Sequence, residues 1–403
     1  GRLGRDSRRG NLPPMAGLAK DYSPFTPGQP VPIEYFVGRM GEIERLQAKV
    51  RAAANGRLQI GFLAGERGIG KSSLASFVGY LAERDGGFLT VHTFLGGVGT
   101  LEEMVRRTFD RILKASLGQA WYQKVSRFFG NHVREVGLFG VSVELGISTQ
   151  DLTRAVHDFG PAVKKLLQDL RGDKAGILLV LDDINGLAAS VDFANWLKSL
   201  VDEIATSREP LPLFILMVGL EERRQSLLNL QPSLNRVFDV IDLPPWSTAE
   251  TTDFYRKAFE NVGVTIDGDA LGLLALFAGG LPVIAHEIGD AVFKVDSDGH
   301  ITKDDVIEGV IAAADVIGRK QLQPQVYSAL RSPRYRTILR RIAMLGTWSF
   351  KRSEILPMLS AEEVQVFDNF LRRMTKLGVF VPDTELAKGA YRFANLIHAV
   401  YFR

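Results

Sequence analysis

The run Leu58 to Ala64, passing straight into Gly65-Glu66-Arg67-Gly68-Ile69-Gly70-Lys71-Ser72, constrains the fold of this chain more than any other stretch. An apolar segment of that length, a Gly-x4-Gly-Lys-Ser loop and the pattern SLASFVGYLA together read as strand, glycine-rich loop and helix. The spacing has a chemical reason. Glycines let the backbone wrap an anion without Cβ clashes, so several N–H groups of Gly65, Glu66, Arg67, Gly68, Ile69 and Gly70 point inward. The helix opening at Lys71, Ser72 and Ser73 adds the partial positive charge of its N-terminus. Lys71 is placed to reach the β- and γ-phosphates, and the Ser72 hydroxyl to ligate a metal. The ligand expected from this pattern is ATP, with Mg2+ as its counter-ion.

A second apolar run, Ile177 to Leu181, ends in Asp182-Asp183. A fully apolar run is what a parallel strand buried on both faces requires. Carboxylates at its C-terminal end project where ligands bind in open α/β sheets. Asp182 is expected to hold magnesium through water, and Asp183 to orient or deprotonate the attacking water. The pair should converge with Lys71 on one triphosphate, from a strand adjoining that of the loop.

With 403 residues the chain exceeds one ordinary core, and two or three domains are expected. Strand signals at 58–63, 88–94, 177–181, 213–218 and 237–241 alternate with helical patterns, which predicts an α/β fold built on a parallel sheet. The stretch 100–170 mixes helices with a hairpin, EVGLFGVSVELG, a candidate oligomer or partner element. After Pro245 strand signals stop, and helical patterns at 247–261, 269–278, 282–294 and 303–318 predict an all-helical domain. The expected division is an irregular, basic, Pro-rich tail over 1–33 that becomes ordered near Phe36, and an α/β core over 34–245 carrying the 100–170 insertion. A helical lid over 246–322 and a winged-helix domain over 323–403 follow. In the last, RYRTILRRIAML, SFKRSEILPML and AEEVQVFDNFLRRMTKLGVFV are its three helices, with Lys388 to Phe393 as the returning strand of a two-stranded wing.

Some chemistries are excluded. The chain has no cysteine, hence no disulfide, thiolate metal site or cysteine nucleophile, and its six histidines show no metal-ligand spacing. Hydrophobic residues reach 46%, yet no apolar run approaches the roughly 18 to 20 residues a membrane helix needs. The basic N-terminal stretch leads into prolines without an apolar core, so no signal peptide and a cytoplasmic location are expected.

With loop, carboxylate pair and element order together, the chain resembles the AAA+ class of P-loop ATPases. It looks most like the signal-transduction (STAND) ATPases and their origin-recognition-type relatives. Val37-Gly38-Arg39-x-x-Glu42 is similar to the box that precedes the first strand in those families, which implies that Val37, Gly38 and Arg39 contact the nucleotide. Arg236, just before VFDVIDL, is similar to an arginine finger or γ-phosphate sensor, where a cation neutralises the transferring phosphoryl group. Gly280-Leu281-Pro282 resembles the "GLP" motif of STAND lids, which places Pro282 near the nucleotide. Departures exist. Asp183 stands where AAA+ enzymes carry Glu, LFILMVGL lacks a polar residue at its end, and the lid offers only His286 where a second-sensor arginine is usual. The resemblance therefore implies a slow ATP hydrolase acting as a switch between ATP and ADP states, with a homo-oligomer or another protein as partner. It also implies an alternative, an initiator that meets duplex DNA through 334–403, using Lys351, Arg352, Arg372, Arg373 and Lys376 against the opposing Glu362, Glu363 and Asp368. A nucleotide-binding scaffold without turnover is the third reading.

Overall fold

The computed structural model describes residues 22–29, 36–136, 142–206, 208–327 and 331–403. The chain divides into two compact units, residues 30–244 and residues 1–29 with 245–403.

The first unit is built on a five-stranded parallel sheet of order β2-β5-β6-β1-β7. Its strands are β1 (Gln59–Ala64), β2 (Phe88–Phe94), β5 (Gly176–Asp182), β6 (Leu213–Gly219) and β7 (Asp239–Asp242). Every residue of β5 and β6 is buried, as continuous apolar runs in a sheet covered on both faces should be. The adjacency expected for the loop strand and the carboxylate strand is corrected here: β6 lies between them. A crossover helix can pass over one strand or two, and sequence periodicity does not say which. Both strands still end at the same edge of the sheet, about 10 Å apart at two strand spacings.

Helices α1 (Met40–Ala54), α2 (Lys71–Gly86), α3 (Leu101–Ser116), α7 (Val191–Thr206) and α8 (Glu221–Leu230) belong to this unit. Helix α2 sits close on β2 because residue 79 is glycine; a Cβ there would fall 2.6 Å from Thr90 Cγ2. The 100–170 stretch contributes α3, α4 (Tyr122–Phe129), a hairpin of β3 (Val133–Val136) and β4 (Ser142–Leu145), α5 (Thr149–His157) and α6 (Phe159–Asp169). The tip of the hairpin, 137–141, lies outside the described residues. Phe109, Phe129, Phe159 and Trp196 pack with ring centroids 5.2 to 6.1 Å apart and join the insertion to the sheet's apolar core.

The second unit opens with α9 (Thr248–Glu260), α10 (Gly268–Ala278), α11 (Pro282–Val295) and α12 (Lys303–Ile317). The expectation of an all-helical region needs one correction, a two-residue parallel pair of β8 (Thr265–Ile266) and β9 (His300–Ile301). Runs of two residues are too short for periodicity to reveal. Reciprocal capping bonds between Ser247 and Glu250, and between Thr302 and Asp305, fix where α9 and α12 begin.

Order also begins earlier than Phe36. Residues 22–29 form no helix or strand, but Phe25 is only 3% exposed and lies 5.1 Å from Phe259 and 5.8 Å from Phe254 between ring centroids. Gly289 on α11 makes the room, since a Cβ there would fall 2.4 Å from Phe25 Cε1.

The C-terminal part contains α13 (Pro333–Met344), β10 (Ser349–Lys351), α14 (Arg352–Ile355), α15 (Ala361–Lys376), β11 (Phe380–Pro382), β12 (Ala390–Phe393) and α16 (Leu396–Phe402). Its antiparallel sheet has order β10-β12-β11, three strands where two were expected. Ser349–Lys351 was expected to be helical. Phe350 is instead fully buried opposite Tyr391 on β12, and the helix starts only where Glu354 accepts from Lys351 N–H at 2.8 Å.

Two buried histidines make this unit acid-sensitive. Burial pushes His286 and His398 down to about 4. The folded chain holds them neutral, whereas the unfolded chain protonates them near their ordinary 6.5. Their contribution is therefore complete above about pH 6.5 and lost as pH falls toward 4. Going from pH 7 to pH 5 is expected to cost on the order of 2 kcal/mol for each histidine. Urea unfolding at the two pH values checks this, and equal midpoints would contradict it.

Candidate functional site

Strand β1 delivers the glycine-rich loop to the C-terminal edge of the sheet. Ile69 is fully buried beneath the loop, and a Cβ on Gly65 would meet Ile69 Cγ2 at 2.8 Å, so only glycine fits above it. Gly70, at φ +95°, takes a conformation closed to most side chains and turns the chain into α2. Lys71, Ser72 and Ser73 form the first turn of that helix, where backbone N–H groups have no intrahelical acceptor. The side chains of Glu66 and Arg67 are exposed. Lys71 Nζ donates to Gly65 O at 2.9 Å and Glu66 O at 2.7 Å. Burial, the largest influence, holds its ammonium below the usual lysine range; the Asp182 carboxylate opposes this most, Arg67 adds to the lowering, and Asp183 and Glu66 oppose it. Lys71 and both aspartates thus share one electrostatic neighbourhood.

Asp182 is 3% exposed at the end of β5, and its Oδ2 lies 2.7 Å from His92 Nε2. Asp183 takes a left-handed backbone, φ +56°. Aspartate and asparagine visit that region far more readily than longer side chains, which gives the Asp in place of the usual Glu a local reason. Asn185 Nδ2 donates to Asp183 Oδ1, and Asn185 Oδ1 accepts from Leu220 N–H at 3.4 Å. Asn185 thereby supplies, from the loop after β5, a polar group at the end of β6, where LFILMVGL has none. Sequence reasoning missed both His92 and Asn185. The signal for His92 was its place two residues from Thr90 and Phe94 on a strand with alternating faces.

Arg39 is 4% exposed, and its guanidinium donates to Pro244 O at 2.6 Å and to Ile69 O at 3.3 Å. It braces the loop from behind. Val37 and Gly38, half-buried, lead into it. Arg236 is exposed at the end of the turn Pro232–Arg236 ahead of β7 and is not among the charges acting on Lys71. Pro282 is the first residue of α11, in the second unit. The glycine of its motif has a folding reason: Gly280 has φ +74°, and a Cβ there would fall 2.4 Å from Trp246 O.

Residues 35–216 match a family model described as AAA ATPase domain. That segment is similar to AAA ATPase domains. Among solved structures, the chain resembles a Walker-type ATPase of Pyrococcus abyssi at 17% identity and TM-score 0.55, with 92% of this chain and 97% of that one covered. It resembles the Aeropyrum pernix ORC2 protein, in its ADPNP–ADP complexes, at 14% identity and TM-score 0.58, with 95% of each chain covered. No curated protein matches the sequence. These likenesses establish the fold of a P-loop NTPase with a central parallel sheet, flanking helices and a largely helical C-terminal region.

The first unit offers oxygen donors, the Ser72 hydroxyl and the Asp182 carboxylate, of the kind a hard divalent cation prefers. Among the described residues no cluster of three or more His, Asp or Glu is placed to hold a metal without help. That donor set fits magnesium, which commonly takes one or two protein oxygens and completes its shell with phosphates and water.

Proposed function

We propose that the chain binds ATP with magnesium, hydrolyses it slowly, and acts as a nucleotide-controlled switch. The observation that carries this reading is the half-buried Lys71 ammonium, folded over the loop onto Gly65 O and Glu66 O and acted on by both Asp182 and Asp183. In it, the amides of Gly65 to Ser73 receive the phosphates, Lys71 takes the γ-phosphate, and Ser72 with Asp182 holds the metal. Magnesium held there would neutralise charge on the phosphates. Asp183 orients the attacking water. A short carboxylate, tied to Asn185 on a left-handed backbone, supports slow rather than rapid turnover. Val37 and Gly38 bound the base and ribose, with Arg39 holding the loop, and Pro282 opens the lid helix. The exposure of Arg236 suits a finger that serves a neighbouring copy, so a homo-oligomer accompanies the reading. A cytoplasmic setting does too; among the described residues no helix is long and apolar enough to cross a membrane.

Asp183→Asn is expected to leave ATP affinity within about threefold and to lower phosphate release by about 100-fold or more. Equal release rates in the two proteins would mean that Asp183 is no catalyst, and no release from either would leave a nucleotide-binding scaffold in place of an enzyme. Mass measured with ATP and with ADP tests the switch, and one unchanged monomer in both contradicts it.

The C-terminal part, read as a winged helix, is proposed as a packing or partner module rather than a DNA reader. Arg352, one of the five basic side chains named for duplex contact, is paired with Asp368 at 2.9 Å, and Arg334 with Glu362 at 3.0 Å and Arg341 with Glu363 at 3.4 Å are also turned to carboxylates of the same domain. Duplex binding that falls steeply with salt would restore the initiator reading.

A further inference from the structure

His92 has no role in the scheme above, yet it contacts the residue assigned to the metal. A carboxylate only accepts hydrogen bonds, so Nε2 donates toward Asp182 Oδ2, and Nδ1 lies within hydrogen-bond distance of Ser76 Oγ at 3.2 Å. Phe94 stacks on the ring, with centroids 4.4 Å apart and planes within 15°. The side chain is 10% exposed and both nitrogens are engaged, so its orientation is fixed on three sides.

The placement follows from two periodicities. His92 pairs with Val180 and Phe94 with Asp182 in the β2–β5 register, so these four side chains share the face covered by α2. On α2, residues 72, 76 and 79 fall on one stripe. Gly79 lets that stripe approach Thr90, whose Oγ1 donates to Gly79 O at 2.9 Å. One turn nearer the loop, Ser76 reaches His92, and one further turn presents Ser72. A single helix face therefore carries the hydroxyl assigned to the metal and the hydroxyl that orients the ring on Asp182.

We propose that His92, backed by Ser76, is a positioning residue that sets the Asp182 carboxylate relative to Ser72. It commits Oδ2 to the imidazole and presents Oδ1 to the hydration shell of the magnesium. The inference rests on the ATP–magnesium reading of the site. His92 itself does not touch the metal or the phosphates; its effect passes through Asp182, and such outer-shell partners typically change metal affinity by about 10 to 100-fold.

The test is ATP affinity measured in magnesium and in EDTA, the ratio of the two being the metal's contribution. His92→Ala should leave affinity in EDTA within about threefold and shrink the ratio by about tenfold or more. His92→Gln, whose amide can donate to Asp182 and accept from Ser76, should recover most of the ratio, which filling space alone would not achieve. An undiminished ratio in His92→Ala, or a glutamine variant as defective as alanine, overturns the proposal. If His92→Ala does not fold, Ser76→Ala decides: a reduced ratio supports the relay and an unchanged one contradicts it. Wild-type protein that binds ATP equally with and without magnesium sinks this inference together with the metal part of the reading, and leaves the nucleotide site standing. Wild-type protein that binds no ATP sinks the nucleotide reading beneath it.

Discussion

Lys71→Ala is expected to weaken ATP binding by about a hundredfold or more and to remove measurable hydrolysis. The ammonium is partly withdrawn from water at the mouth of the loop, which disfavours its charge, and Asp182 is the group that chiefly favours it. A hydrogen bond to a charged group contributes about 1.5 to 3 kcal/mol. Two such bonds to phosphate oxygens therefore amount to about 3 kcal/mol or more, and each 1.4 kcal/mol is tenfold in affinity. The folded protein should lose little, because the bonds given up run to the Gly65 and Glu66 carbonyls, which adjoin solvent at the exposed Glu66. Titration of a fluorescent ATP analogue, with thermal melting as the folding control, measures this. Affinity within threefold of wild type in a folded variant would remove Lys71 from the site.

Phe25→Ala is expected to destabilise the second unit by about 3 to 4 kcal/mol, in the range of other fully buried phenylalanines cut to alanine. The ring fills a space bounded by Phe254, Tyr255 and Phe259 and floored by Gly289, which has no side chain with which to close the gap. The neighbours are helical and aromatic, so the cavity should collapse only partly. Urea unfolding followed by far-UV circular dichroism reads the loss, and Phe25→Leu should cost less than half as much. A change below about 1 kcal/mol for Phe25→Ala would mean that the ring contributes no packing where it lies.

The core of the site was legible because its chemistry is local. Gly65 to Ser72 is contiguous, and its strand and helix flank it, so loop, cation and hydroxyl follow from spacing alone. Asp182 and Asp183 end an apolar run that had to be a buried strand. What stayed hidden depends on which elements become neighbours. His92 meets Asp182 through β2–β5 pairing, and Asn185 reaches the end of β6; neither relation leaves a periodic trace. The family-like box names Arg39 but not its partners: its guanidinium spans Pro244 O and Ile69 O, 205 and 30 residues distant in sequence. Phe25 was hidden for a different reason: a single aromatic in a Pro-rich stretch carries no period. Ser349–Lys351 looked helical because three residues of edge strand beside a true helix cannot outweigh the longer pattern.

Convergence of the loop amides and the two aspartates on one triphosphate is tested most directly by a crystal structure with a non-hydrolysable ATP analogue and Mn2+. The manganese can be located by its anomalous scattering. The predicted result is one metal bound to the Ser72 hydroxyl and to β- and γ-phosphate oxygens, with Asp182 reaching it directly or through water and Lys71 on the γ-phosphate. A nucleotide seated away from Gly65–Ser72, or a metal beyond reach of both Ser72 and Asp182, would contradict the assignment.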